Sequence, residues 1–295
     1  MAGPTITQPQ AVGWEGLGAR ERVAFWRAPH LDGLDGLAAR FTTHRYAPHT
    51  HETWVMGVVT AGAEVFACRG ARHRAAPGQV CVVPPGEVHD GEPERDGYEY
   101  RMLYPSARLV DELARELAER PGASRGTPGF AGVVLDDPDL AALFVAAHEH
   151  LSGAPDGLGG EELLSVAVAA LLRRHARFDA PDAGAGPGRP ERAAVARARA
   201  VIEARYAEPL RLPELAAEAG LTRFRLIRAF KREFGITPHL YLLDRRVRAA
   251  GTLLRAGHPP AEAAVLAGFS DQSHLTRAFK ARLGVTPAVF RRGGR

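Results

Sequence analysis

The C-terminal third of the chain repeats itself. AGLTRFRLIRAFKREFGITPHLY (219–241) returns as AGFSDQSHLTRAFKARLGVTPAVF (267–290). The tetrapeptide RAFK stands at 228–231 and again at 277–280. Gly235 matches Gly284, Thr237-Pro238 matches Thr286-Pro287 and Tyr241 matches Phe290, all at one offset of 49 residues. The Ala-Gly pairs at 219 and 267 are 48 apart, so one residue is inserted ahead of the second RAFK segment. Each copy reads as a short apolar helix, a turn at Gly220 or Gly268, and an Arg-rich amphipathic helix, which is the grammar of a helix-turn-helix. Leu226, Phe230 and Phe234 form one apolar stripe and Leu275, Phe279 and Leu283 its twin, both expected to face a small core. Helices are expected over 193–206, 212–219, 223–234, 238–256, 261–267 and 271–283, with a short turn from Pro287.

Charge separates this region from the rest. Residues 1–190 hold 18 Lys and Arg against 25 Asp and Glu, and residues 191–295 hold 20 against 9. A basic half beside an acidic one points to a polyanionic partner for that half only. With the apolar stripes turned inward, the N-terminal ends of the Arg-rich helices present Arg223, Phe224, Ile227 and Arg228 in the first copy. The second presents Gln272, Ser273, His274 and Arg277. These are the positions from which a recognition helix meets base edges, where Arg suits guanine and Gln suits adenine. Lys231, Arg232, Lys280 and Arg282 lie further along, where phosphate contact is expected. The intervening 19-residue helix would span about 28 Å, close to the ~34 Å between successive major-groove openings on one side of a duplex.

The segment resembles the DNA-binding domain of the AraC/XylS family. It carries that family's second-unit signature as GFSDQSHLTRAFKARLGVTP (268–287), followed by Phe290-Arg291. The first unit, AAEAGLTRFRLIRAFKREFGITPHLYLLDRRVRAAGTLL (216–254), fits as well. The resemblance covers about a hundred residues and implies base contacts by Phe224, Ile227 and Arg228 and by Gln272, Ser273, His274 and Arg277. Ile227 departs from the family, where this position is often polar, so the first helix is expected to read thymine methyls or to add little discrimination.

FDAPDAGAGPGRP (178–190) has no apolar periodicity and reads as a linker over 179–190. Ahead of it, residues 20–105 are short apolar segments broken by Gly and Pro, such as WVMGVVTAG and GQVCVVPPGEVH, which read as strands. Residues 106–178 change to helical spacing, with helix starts expected at Asp137-Pro138 and Gly160-Glu161. The expected chain is α+β: a domain over 20–178 with strands first and helices after, the linker, and an all-α domain over 191–295.

Within the strands, His49-Thr-His51 places two imidazoles on one face, and Gly78 and Pro85-Gly86 are turn residues that bring His89 beside them. The spacing resembles the two motifs of a cupin barrel. The first departs from a metal-binding cupin, whose glutamate would fall at Val55 or Met56; Glu52 faces the other side of the strand. Three readings stay open for the histidines: an organic ligand pocket, a divalent metal site at His49, His51 and His89, and structural packing. By family resemblance the cupin-like barrel binds a small effector, lined by His49, His51 and His89 with Tyr100 and Met102, the last two from alternation in YEYRMLY (98–104). Of two cysteines, Cys81 sits in the apolar run VCVV and reads as a small hydrophobe, while Cys68 beside Arg69 is the better thiolate candidate. Two cysteines make no disulfide framework, and there is neither a secretory signal nor an apolar run that could span a membrane, so a reduced cytoplasmic protein is expected. The expectation is a non-enzymatic transcriptional regulator, an activator by the family's habit, that binds promoter DNA as a homodimer through 161–178 and acts on RNA polymerase. The competing readings are a metal-dependent cupin enzyme or metal sensor with a DNA-binding appendage, and an architectural DNA binder.

Overall fold

The computed structural model describes residues 21–116, 128–153, 158–177 and 189–293. The linker expected at 179–190 falls almost wholly outside them. Seven strands come first: β1 (Arg22–Ala28), β2 (Leu34–Phe41), β3 (Tyr46–His49), β4 (Val55–Cys68), β5 (Ala71–Ala75), β6 (Gln79–Val83) and β7 (His89–Tyr104). Then come α1 (Ala107–Glu116), β8 (Gly129–Phe130), β9 (Val134–Asp136), α2 (Pro138–Gly153), α3 (Leu158–His175) and β10 (Ala176–Arg177). The C-terminal region is α4 (Arg189–Arg205), α5 (Leu212–Ala219), α6 (Arg223–Phe234), α7 (Pro238–Arg255), α8 (Pro260–Leu266), α9 (Gln272–Leu283) and α10 (Pro287–Arg292).

The sheet is antiparallel in the order β1-β2-β7-β4-β6-β9, with β3 added on β7 and β5 on β4. Two long strands, β4 and β7, organise it. Such lengths must bend to roll into a barrel, and β4 bends where its register with β7 shifts between Gly62 and Glu64. Gly62 has φ +67°, and a Cβ there would stand 2.0 Å from the Gly97 carbonyl oxygen, so only glycine fits.

Alternation explains why β4 and β6 are almost continuously apolar: both of their faces are buried. Val55, Val59, Cys81, Val83 and Met102 point into the barrel. Met56, Val58, Val80, Val82 and Leu103 point outward onto Phe144, Leu151, Leu164 and Leu171 of α2 and α3. Much of the apolar face of α3, expected to serve dimerisation, thus covers the sheet; Val166 is left exposed on it. That helix begins at Leu158, earlier than the Gly160-Glu161 start read from sequence. Gly160 is instead an interior position whose missing side chain lets α3 close on Leu151.

In the C-terminal region local signals and structure coincide. Thr222 and Asp271 cap α6 and α9, Thr237 and Thr286 cap α7 and α10, and Gly235 and Gly284 end the two Arg-rich helices in the left-handed region. The first unit buries Leu226, Ala229 and Phe230 with Val195 and Ile202 of α4. The second unit buries Leu275, Phe279 and Phe290 in a cluster continuous with the barrel interior.

Candidate functional site

Two places carry chemistry: a pocket inside the barrel, and the exposed ends of α6 and α9. The pocket is lined by Tyr46 and His49 of β3, His51, Val55, Glu64 and Phe66 of β4 and its approach, Cys81 and Val83 of β6, and His89, Asp90, Tyr100, Met102 and Tyr104 of β7. The histidines, Tyr100 and Met102 expected from sequence therefore converge. Strand pairing is the cause, since His49 stands directly opposite His89 in the β3–β7 register.

One nitrogen from each of the three imidazoles lies within 4.8 Å of the others, and His49 Nε2 is 3.1 Å from His51 Nε2. His49 Nδ1 donates to the Ala47 carbonyl at 2.8 Å and His89 Nδ1 to the Glu87 carbonyl at 3.1 Å. Burial holds all three pKa values below the usual imidazole range, with mutual repulsion adding to it for His49 and His51. A neutral ring whose Nδ1 carries the proton presents a bare lone pair at Nε2, so His49 and His89 turn acceptors toward the cavity.

Sequence reading missed Glu64, which accepts a hydrogen bond from Tyr98 Oη at 3.2 Å and is pushed up to about 7 by burial. Nothing in the strand alternation marks it until Tyr98 is brought alongside. Val55 lines the pocket where a metal-binding cupin would supply a carboxylate, and Glu52 turns outward to pair with Arg248 of α7 at 2.8 Å. Burial pushes the Cys68 thiol up to about 11 and the Cys81 thiol well above its ordinary value, so neither offers a thiolate near neutral pH. The pocket encloses a cavity of about 50 Å³, enough for an ion and a few waters.

The ceiling of the pocket comes from the other end of the chain. Arg282 and Leu283, in the last turn of α9, line it, and Gly284 abuts Tyr46, whose Oη would stand 2.5 Å from a Cβ there. Arg282 was expected to meet phosphate. It is instead 3 % exposed, with its Nη1 on the Ala278 carbonyl and its Nε 3.9 Å from Asp244, without a hydrogen-bond partner. Leu283 stays packed against the cluster of Leu275 and Phe279 and also lines the pocket. Arg282 departs because the helix end is packed against another body rather than against solvent.

Asp244 of α7 is the other half of this junction. It is 1 % exposed and accepts from the Thr50 backbone N–H at 3.2 Å, from the Thr50 hydroxyl, and from Arg248 at 3.3 Å. Arg255 reaches Asp35 at 2.9 Å, and Phe290 stacks on Phe25 with centroids 5.0 Å apart.

At the opposite end of α9, Gln272, Ser273 and Arg277 are exposed and His274 is half-buried. On α6, Arg223 and Arg228 are exposed and Ile227 is half-buried; the side chain of Phe224 lies outside the described residues. Lys231 and Arg232 are exposed, with Arg232 2.5 Å from Glu191, and Lys280 is half-buried. Among the described residues no helix is long and apolar enough to cross a membrane.

Comparison with known proteins places both halves. The AraC-like ligand binding domain matches residues 33–171, and a helix-turn-helix domain matches residues 215–293. The HTH-type transcriptional regulator YbfI of Bacillus subtilis is 28% identical over 84% of this chain and 87% of its own length. The arabinose operon regulatory protein of Escherichia coli is 27% identical over 80% and 77%. Among solved structures, unsaturated fatty acid bound ToxT from Vibrio cholerae superposes with a TM-score of 0.54 at 11% identity, covering 92% of this chain and 94% of that one, which shows a shared fold.

Proposed function

The chain belongs to the AraC/XylS family of transcriptional regulators, with an N-terminal ligand-binding barrel and a C-terminal DNA-binding region, and from that premise we propose that α9 links the two. Its 12 residues, about 18 Å of helix, carry an exposed reading end (Gln272, Ser273, Arg277) and a buried pocket end (Arg282, Leu283). That double contact is the observation that carries the proposal. A ligand that fills the pocket acts on Arg282 and Leu283 directly, and a rigid helix transmits the displacement to the end that faces DNA. Energetically, the ligand shifts the docked and undocked arrangements only by its differential affinity for them.

On the DNA, Gln272, Ser273, His274 and Arg277 supply discrimination, Arg223, Phe224, Ile227 and Arg228 supply position and methyl contact, and Lys231, Arg232 and Lys280 meet phosphates. The exposure of Arg277 and Gln272 beside the half-buried Ile227 supports this division. Two half-sites are read by a homodimer, for which the exposed Val166 on α3 is the apolar contact, and bound RNA polymerase is the target of activation. An enzymatic role is disfavoured by Val55 at the position of the missing carboxylate.

The test is fluorescence anisotropy on the chain's own upstream DNA against a shuffled duplex at physiological salt. A specific regulator binds its site at least about 10³-fold tighter than random DNA. A ratio near one would overturn the proposal in favour of an architectural binder.

A further inference from the structure

The barrel pocket carries a more specific inference, which rests on its reading as the effector site: we propose that His49, His51 and His89 together bind one divalent transition-metal ion of the zinc and cobalt class, with a fourth coordination position open to the cavity beneath Arg282.

Geometry comes first. In a tetrahedral site with metal–nitrogen bonds of about 2.0–2.1 Å, ligand nitrogens stand about 3.3 Å apart. His49 Nε2 and His51 Nε2 are 3.1 Å apart, and all three donors lie within 4.8 Å of one another. Closing on an ion therefore takes side-chain adjustments rather than movement of strands. The rings are also held from behind. Nδ1 of His49 is tied to the Ala47 carbonyl and Nδ1 of His89 to the Glu87 carbonyl. Outer hydrogen bonds of this kind set the tautomer and aim Nε2 of a ligating histidine. A proton shared between His49 and His51 satisfies that one contact. It does not account for the His89 ring, whose centroid is 4.4 Å from that of His49 with its far nitrogen anchored at Glu87.

The chemistry of the donors selects the ion. Three imidazoles and no carboxylate in the cluster exclude calcium and magnesium, which require oxygen, and suit zinc, cobalt, nickel or copper. Glu64 lines the same cavity but stands outside the cluster. The roughly 50 Å³ of free space accommodates the ion, a water and a small anion. Entry of a dication also places positive charge in the cavity that the buried Arg282 guanidinium lines. Metal occupancy is therefore opposed to docking of α9 unless an anion accompanies it.

The experiment uses the untagged full-length chain, stripped with chelator and dialysed against Zn(II) or Co(II). The expected result is one equivalent of metal per chain by elemental analysis, with visible d–d bands of four-coordinate Co(II). H51N and H89N should each lose stoichiometric uptake while keeping the far-UV spectrum and melting temperature of the metal-free protein. H150A, at an exposed histidine on α2, should retain it. Substoichiometric uptake by the wild type, or uptake that survives H51N and H89N, would overturn the proposal. Operator affinity with and without metal separates the two readings. Stoichiometric metal with unchanged affinity keeps the metal site and removes the pocket's regulatory role. No metal, with an organic ligand that raises the melting temperature, does the reverse.

Discussion

The first helix-turn-helix unit, α5 and α6, packs on α4; the second, α8 and α9, packs on the barrel. Their frames are alike, with a capping residue at 222 and 271, RAFK in one register, and a left-handed glycine at 235 and 284. They part in the last helical turn. Glu233 is exposed at the position where the second unit has the buried Arg282, and Phe234 packs with Tyr241 where Leu283 also lines the pocket. A repeat register thus transfers secondary structure and caps from one copy to the other. It does not transfer burial, which is set by the neighbour that each copy meets.

The largest expected effect breaks that difference outright. Asp244→Ala leaves the Arg282 guanidinium buried without its counter-charge and the Thr50 donors without their acceptor, which costs about 3–5 kcal/mol in denaturant unfolding. The tie that joins α4, on which the first unit packs, to α7 is weaker. Glu203 of α4 accepts from Tyr241 and Arg245, both at 2.7 Å, but is a third exposed, so Glu203→Ala should cost about 1 kcal/mol or less. Equal losses would mean that the two units are anchored alike.

Next comes the floor beneath the second unit. Glu64 has its pKa raised from 4.5 to about 7. A carboxyl raised in the folded state contributes stability that is complete below pH 4.5 and is lost as pH rises through about 7. Glu64→Gln should therefore stabilise the protein by about 3 kcal/mol at pH 8 and by little at pH 4.5. The comparison is sharpened by repeating it in the Asp244→Ala background. Undocking of α9 admits water to the pocket, so the pH dependence should shrink. An unchanged profile would show that the second unit does not seal the cavity.

Arg277→Ala and Arg228→Ala then compare the reading ends, since both arginines open a RAFK segment and both are exposed. The first should cost about 1–3 kcal/mol of discrimination between operator and shuffled DNA, and the second should weaken both duplexes nearly equally. The reverse order would relocate discrimination to the first unit.

What sequence made legible follows the same line. Expected bounds for α5 and α6 match the structure because caps, glycines and apolar periodicity are local signals. The histidine trio was legible because period-two alternation and two turn motifs define a strand face. Arg282 was misplaced because its environment is set by residues far away in the chain, Thr50 and Asp244 bonding across 194 positions. Glu64 and the three-residue β9 carried no pattern of their own; pairing with β7 and β6 gives each its meaning.

The smallest effect tests how far the likeness of the two units goes. Thr222 Oγ1 accepts from the Arg225 N–H at 3.4 Å, a long bond whose loss in Thr222→Ala should cost roughly 0.5 kcal/mol at any pH. Asp271 accepts from the His274 N–H at 2.7 Å and adds negative charge at the helix N-terminus. Its pKa is lowered from 3.8, first by that backbone hydrogen bond and then by Ser270. A depressed carboxylate contributes stability that is present above 3.8 and is lost as pH falls through the folded value. At neutral pH, Asp271→Ala should therefore lower the melting temperature more than Thr222→Ala, and the gap should close on acidification below that value. A gap that persists in acid would assign the difference between the caps to hydrogen-bond geometry rather than to charge.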